Sequence, residues 1–456
     1  MHLPHPNKFI PNNFDVDVKK VDKPATKPAL LKDTSLSRLW HKKDDVWWIP
    51  KAHVYLNLKS PNILKSAKSS VCTRILIELL LEEMNEYAYD AECAGLAYSA
   101  ESMGDGVLIH VKGYNDKLNI LLIQVIKCLK NLVINQNKFD VVKERIQRVY
   151  SNFSMDAPLM HANVSTYALT QDVFYTFDQR LNAIKDIKKE DIDQYNKELL
   201  SQMHLEMFVH GNLTNENANE TLEKIEDILR PEYLTNEQKL SLQSSLVPKG
   251  DYIYKTKVEN PSQLNSAIEY YNEVGDITDL ELRTKLSLFA QIVNEPAFDQ
   301  LRTKEQLGYM VFSGIRKSVG SMGFRILIQS ERPPKFLEDR IEEFYTNTIK
   351  NLLDNLTDEQ FNKNVTSLIN EKLEKPKNLN NESSRFWSDI SSGYYDFHRR
   401  LKEVEVLKKL TKDDILSFFV HYIHVSIIIN LLSLFQINEN TFFSHQVIIV
   451  INCQLI

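Results

Sequence analysis

The chain has 456 residues, 43% apolar and 25% charged, with 55 Lys and Arg against 61 Asp and Glu for a net charge of −6. That length suits two or three domains with sizeable cores, and the composition excludes collagen-like, disordered and wholly membrane-embedded classes. No strongly basic domain points to nucleic acid as a partner. Four scattered cysteines (72, 93, 128 and 453) form no C-x-x-C pair, which fits a reducing compartment. With no apolar signal core and no 18-residue apolar run, the expectation is a cytoplasmic location and no membrane span.

Residues 1–35 read as an extended lead-in punctuated by Pro4, Pro6, Pro11, Pro24 and Pro28. Residues 52–58 alternate, with Val54, Leu56 and Leu58 on one face and His53, Tyr55 and Asn57 on the other, which predicts a strand. A long helix is expected over 66–94, with Ile75, Leu76, Leu79, Leu80 and Met84 inward and Gly95 as its stop. Strands at 96–100 and 107–112 form a hairpin around Gly104-Asp105-Gly106, followed by helices at 116–133 and 136–153 and a strand at 204–210. The polar stretch 232–265, with Pro248, Gly250 and Pro261, reads as a linker.

After it come a strand at 265–272, a helix at 278–295 and a hairpin of 309–316 with 324–329 turning near Gly320 to Gly323. Pro333-Pro334 opens a helix to about 354, with Leu337, Ile341, Phe344, Tyr345 and Ile349 inward. Helices at 358–373, 379–392 and 411–422 complete the pattern.

The order of elements repeats. Glu92-x-x-Gly95 recurs as Glu305-x-x-Gly308, Lys130-Asn131-Leu132 as Lys350-Asn351-Leu352, and Lys189-Glu-Asp-Ile192 as Lys412-Asp-Asp-Ile415, at offsets of 213, 220 and 223 residues. Two copies of an α+β domain of about 220 residues are implied. The stretch 425–456 breaks the repeat, with one charged residue, Glu439, and eight isoleucines. It reads either as a divergent strand pair or as sequence foreign to the native coding frame.

No catalytic signature follows from spacing. H-E-x-x-H, H-x-x-E-H, G-x-S-x-G, the P-loop and G-x-G-x-x-G are all absent. His204, Glu206 and His210 share one strand face, but the two histidines stand about 20 Å apart by strand rise, too far for one metal. His421-x-x-His424 has ligand-like spacing and no third ligand nearby.

One segment stands out: Phe298-Asp-Gln-Leu-Arg302-Thr-Lys-Glu-Gln-Leu-Gly308-Tyr309-Met-Val-Phe-Ser-Gly314. It resembles the fourth-domain signature of the insulinase (pitrilysin) family of zinc metallopeptidases. Asn85-Glu-Tyr-Ala-Tyr89, Lys112-Gly-Tyr-Asn-Asp116, His210-Gly-Asn212, Ile328-Gln-Ser330 and Lys375-Pro-Lys377 match the same family, so the resemblance covers about residues 7–424. It implies an α+β fold of two homologous domains, each a mostly antiparallel sheet packed against helices. The expected order is a lead-in (1–35), a middle or third domain (36–232), a linker (233–264), a fourth domain (265–424) and an atypical tail (425–456).

The family's zinc motif belongs to its first domain and is missing from this sequence. The resemblance therefore implies a non-catalytic, substrate-enclosing half of a zinc metalloendopeptidase that degrades short peptides. Such a half binds no metal or other cofactor itself and is inactive alone. Its implied partners are an N-terminal zinc-bearing half, in cis or in trans, and peptide substrates. The alternatives are an inactive peptide-binding or scaffold subunit, or a truncated gene model.

Residue by residue, Tyr309 matches the tyrosine that donates to the scissile carbonyl oxygen. Arg302 matches the arginine that holds the neighbouring substrate carbonyl, and Phe298 an aromatic pocket wall. Lys375 and Lys377 match a segment implicated in binding ATP or other polyanions. Read without the resemblance, Tyr309 is a strand aromatic, Arg302 a helix-end cation, Phe298 a core residue and the lysines a solvated loop.

Overall fold

Two β-sheets organise the chain. The computed structural model describes residues 6–18, 21–235, 238, 244, 247–424 and 446–453. Unit 1 takes residues 1–151, 177–242 and 375–397, and unit 2 takes 152–176, 243–374 and 398–456.

The sheet of unit 1 contains β1 (Ala29–Asp33), β2 (Ser37–Lys43), β3 (Lys51–Lys59), β4 (Leu96–Ser102), β5 (Gly106–Tyr114) and β6 (His204–Gly211), in the order β1-β2-β6-β3-β5-β4. Only β2 and β6 run parallel. Val54, Leu56 and Leu58 of β3 are fully buried against helices that include Ala67–Glu83 and Asn115–Lys130. The inward set expected for the first long helix (Ile75, Leu76, Leu79, Leu80 and Met84) is buried. That helix ends at Glu83, however, and a second, Asn85–Cys93, follows Met84. Gly95 stops it at φ +75°, where a Cβ would meet the Tyr114 ring at 2.8 Å.

Alternation in 52–58 predicts a half-buried strand, yet β3 is buried on both faces from Ala52 to Leu58. The second face carries Trp40, Tyr55, Leu108 and Phe208, packed by Trp387 and Ile390 of the helix Leu379–Ser391. Tyr55 and Trp387 stack with centroids 5.0 Å apart. This covering helix comes from the second repeat of the chain.

Unit 2 shows the reciprocal arrangement. Its sheet contains β7 (Gly250–Lys257), β8 (Ser266–Asp276), β9 (Met310–Lys317), β10 (Ser321–Ser330) and β11 (Gln446–Cys453), in the order β7-β11-β8-β10-β9. Ile268, Phe324 and Ile326 face helices that include Leu280–Ala297 and Pro334–Glu343. The other face, with Ala267, Tyr271 and Leu327, is packed by Ala162 of the helix Pro158–Thr170, which comes from the first repeat.

Several elements escape the sequence pattern. β1 and β2 lie in or beside the expected lead-in. β2 reads as polar because Lys42 is buried in ion pairs with Asp45 (2.5 Å) and Glu382 (3.1 Å). β7 falls inside the stretch read as a linker, and as an edge strand it leaves Ile253 and Tyr254 exposed. The helices Pro158–Thr170, Phe177–Lys185 and Asn215–Leu229 were also not expected.

Of the tail, residues 425–445 and 454–456 lie outside the described residues, while β11 fills the slot between β7 and β8. In the first copy the equivalent slot holds β6. The frame strands keep their directions between copies, but β6 runs antiparallel to β3 and β11 parallel to β8. Two residues join the helix Lys189–Ser201 to β6 and fix its direction. The 21 residues between His424 and Gln446 leave either direction within reach.

Trp387→Ala should destabilise unit 1 by about 3–5 kcal/mol, the usual cost of truncating a buried aromatic. Urea unfolding followed by tryptophan fluorescence would measure it.

Candidate functional site

The segment leading into β9 is held by a change of helical pitch. The helix Leu280–Ala297 is capped by Asp279, whose side chain accepts from the Leu282 N–H at 2.9 Å. Pro296, which has no backbone donor, comes just before the coil widens into a π-helical turn, Phe298–Lys304. Such turns concentrate at functional sites. Leu301 points inward and is fully buried, while Phe298 remains 46% exposed.

The chain then reverses tightly. The Glu305 N–H donates to the Gln300 carbonyl at 2.9 Å and the Leu307 N–H to the Leu301 carbonyl at 3.1 Å. Gln306 sits at φ +51°, in the left-handed region that a non-glycine residue rarely adopts. Gly308 abuts β10 so closely that a Cβ would lie 2.1 Å from the Gln329 carbonyl oxygen, so glycine is required there.

A clamp maintains the reversal. Arg340, on the helix Pro334–Glu343, grips both carboxylate oxygens of Glu305 at 2.6 and 2.9 Å, and Gln300 donates to the same carboxylate at 2.7 Å. Burial works against the charged carboxylate, but the bonds from Arg340 and Gln300 outweigh it and hold Glu305 below the ordinary glutamate range. The sequence placed Glu305 in the repeat motif. Arg340 carried no signal beyond its helical position, and only the fold brings the two together.

The clamped turn presents three side chains together. The Arg302 guanidinium carbon lies 4.7 Å from the Phe298 ring centre and 5.3 Å from that of Tyr309, and Arg302 Nε donates to the Tyr309 carbonyl at 3.3 Å. Tyr309 is 81% exposed. Neither its hydroxyl nor the terminal nitrogens of Arg302 has a hydrogen-bond partner among the described residues. The arrangement is a rigid donor set, a planar fork between two rings beside a free phenol, suited to carbonyl oxygens. Phe298 is a partly exposed ring against this cation rather than a core residue.

Lys375 and Lys377 fall in unit 1, away in the chain from this group, and both are exposed. They precede the helix Leu379–Ser391, whose first turn is capped by the Asn378 side chain accepting from the Asn381 N–H.

The residues present do not fit a zinc centre: among the described residues no group of three or more His, Cys, Asp or Glu could hold a metal. His53 Nδ1 and His110 Nε2 share a hydrogen bond at 3.2 Å, with their rings stacked. Burial pushes His53 down to about 4, with Lys112 adding to it, and burial with His53 and Lys112 pushes His110 down to about 3. His204 and His210 are buried with separate partners, the Ser35 carbonyl and the Ser383 hydroxyl. His421 bonds back to the Ser417 carbonyl.

Comparison with known proteins gives a consistent family. Residues 1–183 match the middle or third domain of peptidase M16, and residues 288–387 match domain 4 of the C-terminal lobe of PQQ synthase PqqF-like proteins. The chain is 37% identical over 423 residues to insulin-degrading enzyme of Homo sapiens, covering 91% of this chain and 41% of that protein. It is 35% identical over 441 residues to insulin-degrading enzyme-like 1, peroxisomal, of Arabidopsis thaliana, covering 93% and 44%. The crystal structure of pitrilysin matches its fold at a TM-score of 0.80 and 22% identity, over 99% of this chain and 46% of that one. The chain thus spans under half the length of these relatives. Among the described residues, no helix is long and apolar enough to cross a membrane.

Two pH effects follow. Glu305 is depressed in the fold, so its contribution is present above its ordinary value of 4.5 and lost as pH falls through the lower folded value. Glu305→Gln should therefore speed hydrogen exchange at the Leu307 amide at pH 7, and the effect should fade as pH falls below 4.5 and through the depressed folded value. His53 and His110 are buried neutral, so unit 1 should lose stability as pH falls from 6.5 toward about 4. A double His53→Gln, His110→Gln variant should show a flatter stability profile in urea titrations across that window.

Proposed function

The chain belongs to the insulinase (pitrilysin) family of peptidases, and from that premise we propose that it acts as the substrate-enclosing, non-catalytic half of a zinc metalloendopeptidase that degrades short peptides. The observation that carries the reading is the Arg302 guanidinium set between the Phe298 and Tyr309 rings, with its terminal nitrogens and the phenol free.

In this reading the Tyr309 hydroxyl donates to the scissile carbonyl oxygen as negative charge develops on it, the moment at which a positioned donor matters most. Arg302 holds the adjacent backbone carbonyl of the peptide, its fork stiffened by the two rings and by the bond to the Tyr309 carbonyl. Phe298 lines the pocket beyond the cut. Glu305 and Arg340 act through the turn and keep both donors in register.

A zinc ion held by an N-terminal half, in cis or in trans, would supply the activated water. This chain binds no metal and is inactive alone. Lys375 and Lys377 bind ATP or another polyanion. The location is cytoplasmic.

Cleavage of a quenched fluorescent peptide of about ten residues tests this. Activity should appear only when the chain is mixed with a zinc-bearing N-terminal half. Tyr309→Phe should then lower kcat by about 10²–10³, the usual cost of removing one oxyanion donor, while Arg302→Ala should also raise KM. A folded chain that gives no gain on mixing would instead be a peptide-binding or scaffold subunit. Chelator-sensitive cleavage by the chain alone would contradict the assignment of the metal to the other half.

A further inference from the structure

One of the four tryptophans stands apart. Trp40 stacks on Tyr395 with ring centres 5.3 Å apart, Trp387 stacks on Tyr55, and the Trp47 indole donates to Glu382 at 2.8 Å. Trp48 has neither a ring neighbour nor an acceptor for its indole N–H among the described residues. It also sits at φ +52°, a left-handed conformation that a bulky residue rarely adopts. The loop between β2 and β3 imposes it. The Asp44 carboxylate accepts from the Val46, Trp47 and Ile49 N–H groups at 3.1, 2.8 and 3.3 Å and so ties down the chain on either side of Trp48. Backbone strain kept beneath an unpartnered side chain points to a use outside the core.

Trp48 lines a cavity of about 300 Å³ that lies wholly within unit 1, at the small end of the range for ligand sites. Val21, Ala25 and Ala29, from the extended lead-in and the start of β1, supply an apolar wall. His41 of β2 lines the same cavity and is only 4% exposed. Its Nε2 bonds to the Leu213 carbonyl at 2.9 Å, which makes Nε2 the donor. Burial holds the imidazole below the ordinary histidine value, with Lys43 and Lys42 adding to it against the Leu213 bond and Glu216. The ring is therefore neutral at pH 7, and Nδ1 keeps a lone pair with no partner among the described residues. A buried acceptor left without a donor is costly.

The charges of the lining are matched within the protein. Lys42 pairs with Asp45 at 2.5 Å and with Glu382 at 3.1 Å, Lys43 pairs with Asp17 at 2.9 Å, and Asp45 also accepts from the Ala25 N–H at 2.6 Å. Asp44 is taken up by its three backbone donors. Lys27, the remaining charged group of the lining, is exposed to solvent. No unpaired charge is buried there, so the cavity suits an uncharged occupant.

We infer that this cavity binds a small neutral aromatic molecule carrying one N–H or O–H donor, of the indole or phenol class. Its ring packs on Trp48 and its donor reaches His41 Nδ1. This goes beyond the Arg302 and Tyr309 reading, uses different residues and stands without the zinc half.

Saturation-transfer NMR with indole at millimolar concentration tests it on the full chain. Indole should bind, and N-methylindole, which lacks the donor, should bind about fivefold more weakly, the usual net worth of one hydrogen bond. Trp48→Gly should weaken indole binding about tenfold through the lost ring packing. The fold should survive that change, because glycine adopts the left-handed conformation without strain. His41→Phe should bind the two compounds alike. Arg302→Ala and Tyr309→Phe should leave binding unchanged. The inference is overturned if indole does not bind, if N-methylindole binds the unaltered chain equally well, or if Trp48→Gly binds indole undiminished. It is also overturned if His41→Phe still tells the two compounds apart, or if Arg302→Ala removes binding, which would assign the ring to the other site.

Discussion

Burying a strand on both faces makes an unpaired charge there costly, and in each unit that constraint is met at a central glutamate. Glu269 lies on β8 with no exposed surface. Its carboxylate accepts from Arg316 at 2.8 Å, Arg325 at 3.1 Å and the Thr166 hydroxyl at 2.8 Å. In unit 1, Glu206 plays the same part, held by Lys59 at 2.7 Å and the Tyr395 hydroxyl at 2.8 Å. Thr166 and Tyr395 both come from the segments that cover the second faces. The covering segments therefore bring polar partners as well as apolar area, and a buried charge stripped of those partners would be costly.

This explains what the sequence could and could not reveal. Periodicity identifies which residues share a face, so Val54, Leu56 and Leu58 were legible, as were Leu337, Ile341 and Ile349. It does not say what covers the opposite face. His53, Tyr55 and Asn57 look solvent-facing by alternation, yet all three are buried, and what covers Tyr55 is a helix more than 300 residues away. β2 and β7 were missed for related reasons: one buries charges in ion pairs, and the other is an edge with few apolar residues. At the candidate site, Phe298, Arg302 and Tyr309 were legible through resemblance. Their support was not, because Arg340 reads locally as an ordinary helix cation, and the strain at Gln306 leaves no compositional trace.

Unit 2 also contains two further π-helical turns, Phe344–Ile349 and Phe419–His424. Both carry buried aromatics, Phe344, Tyr345 and Phe419, into the core. Widened turns here accommodate large side chains where they are internal and display Arg302 where the turn lies at the surface. The same departure from regular pitch serves packing in two places and presentation in one.

The reversed strand β11 has a consequence for how the C-terminal region can vary. A gap flanked by two antiparallel strands offers one parallel and one antiparallel partner whichever way the filler runs. Its acceptance criterion is thus apolar character on both faces, met here by Ile448, Ile449, Val450 and Ile451, rather than chain polarity. Parallel pairing is only slightly weaker per residue than antiparallel. Such a position is ambidextrous: an apolar segment of either polarity can complete the sheet between the same frame strands.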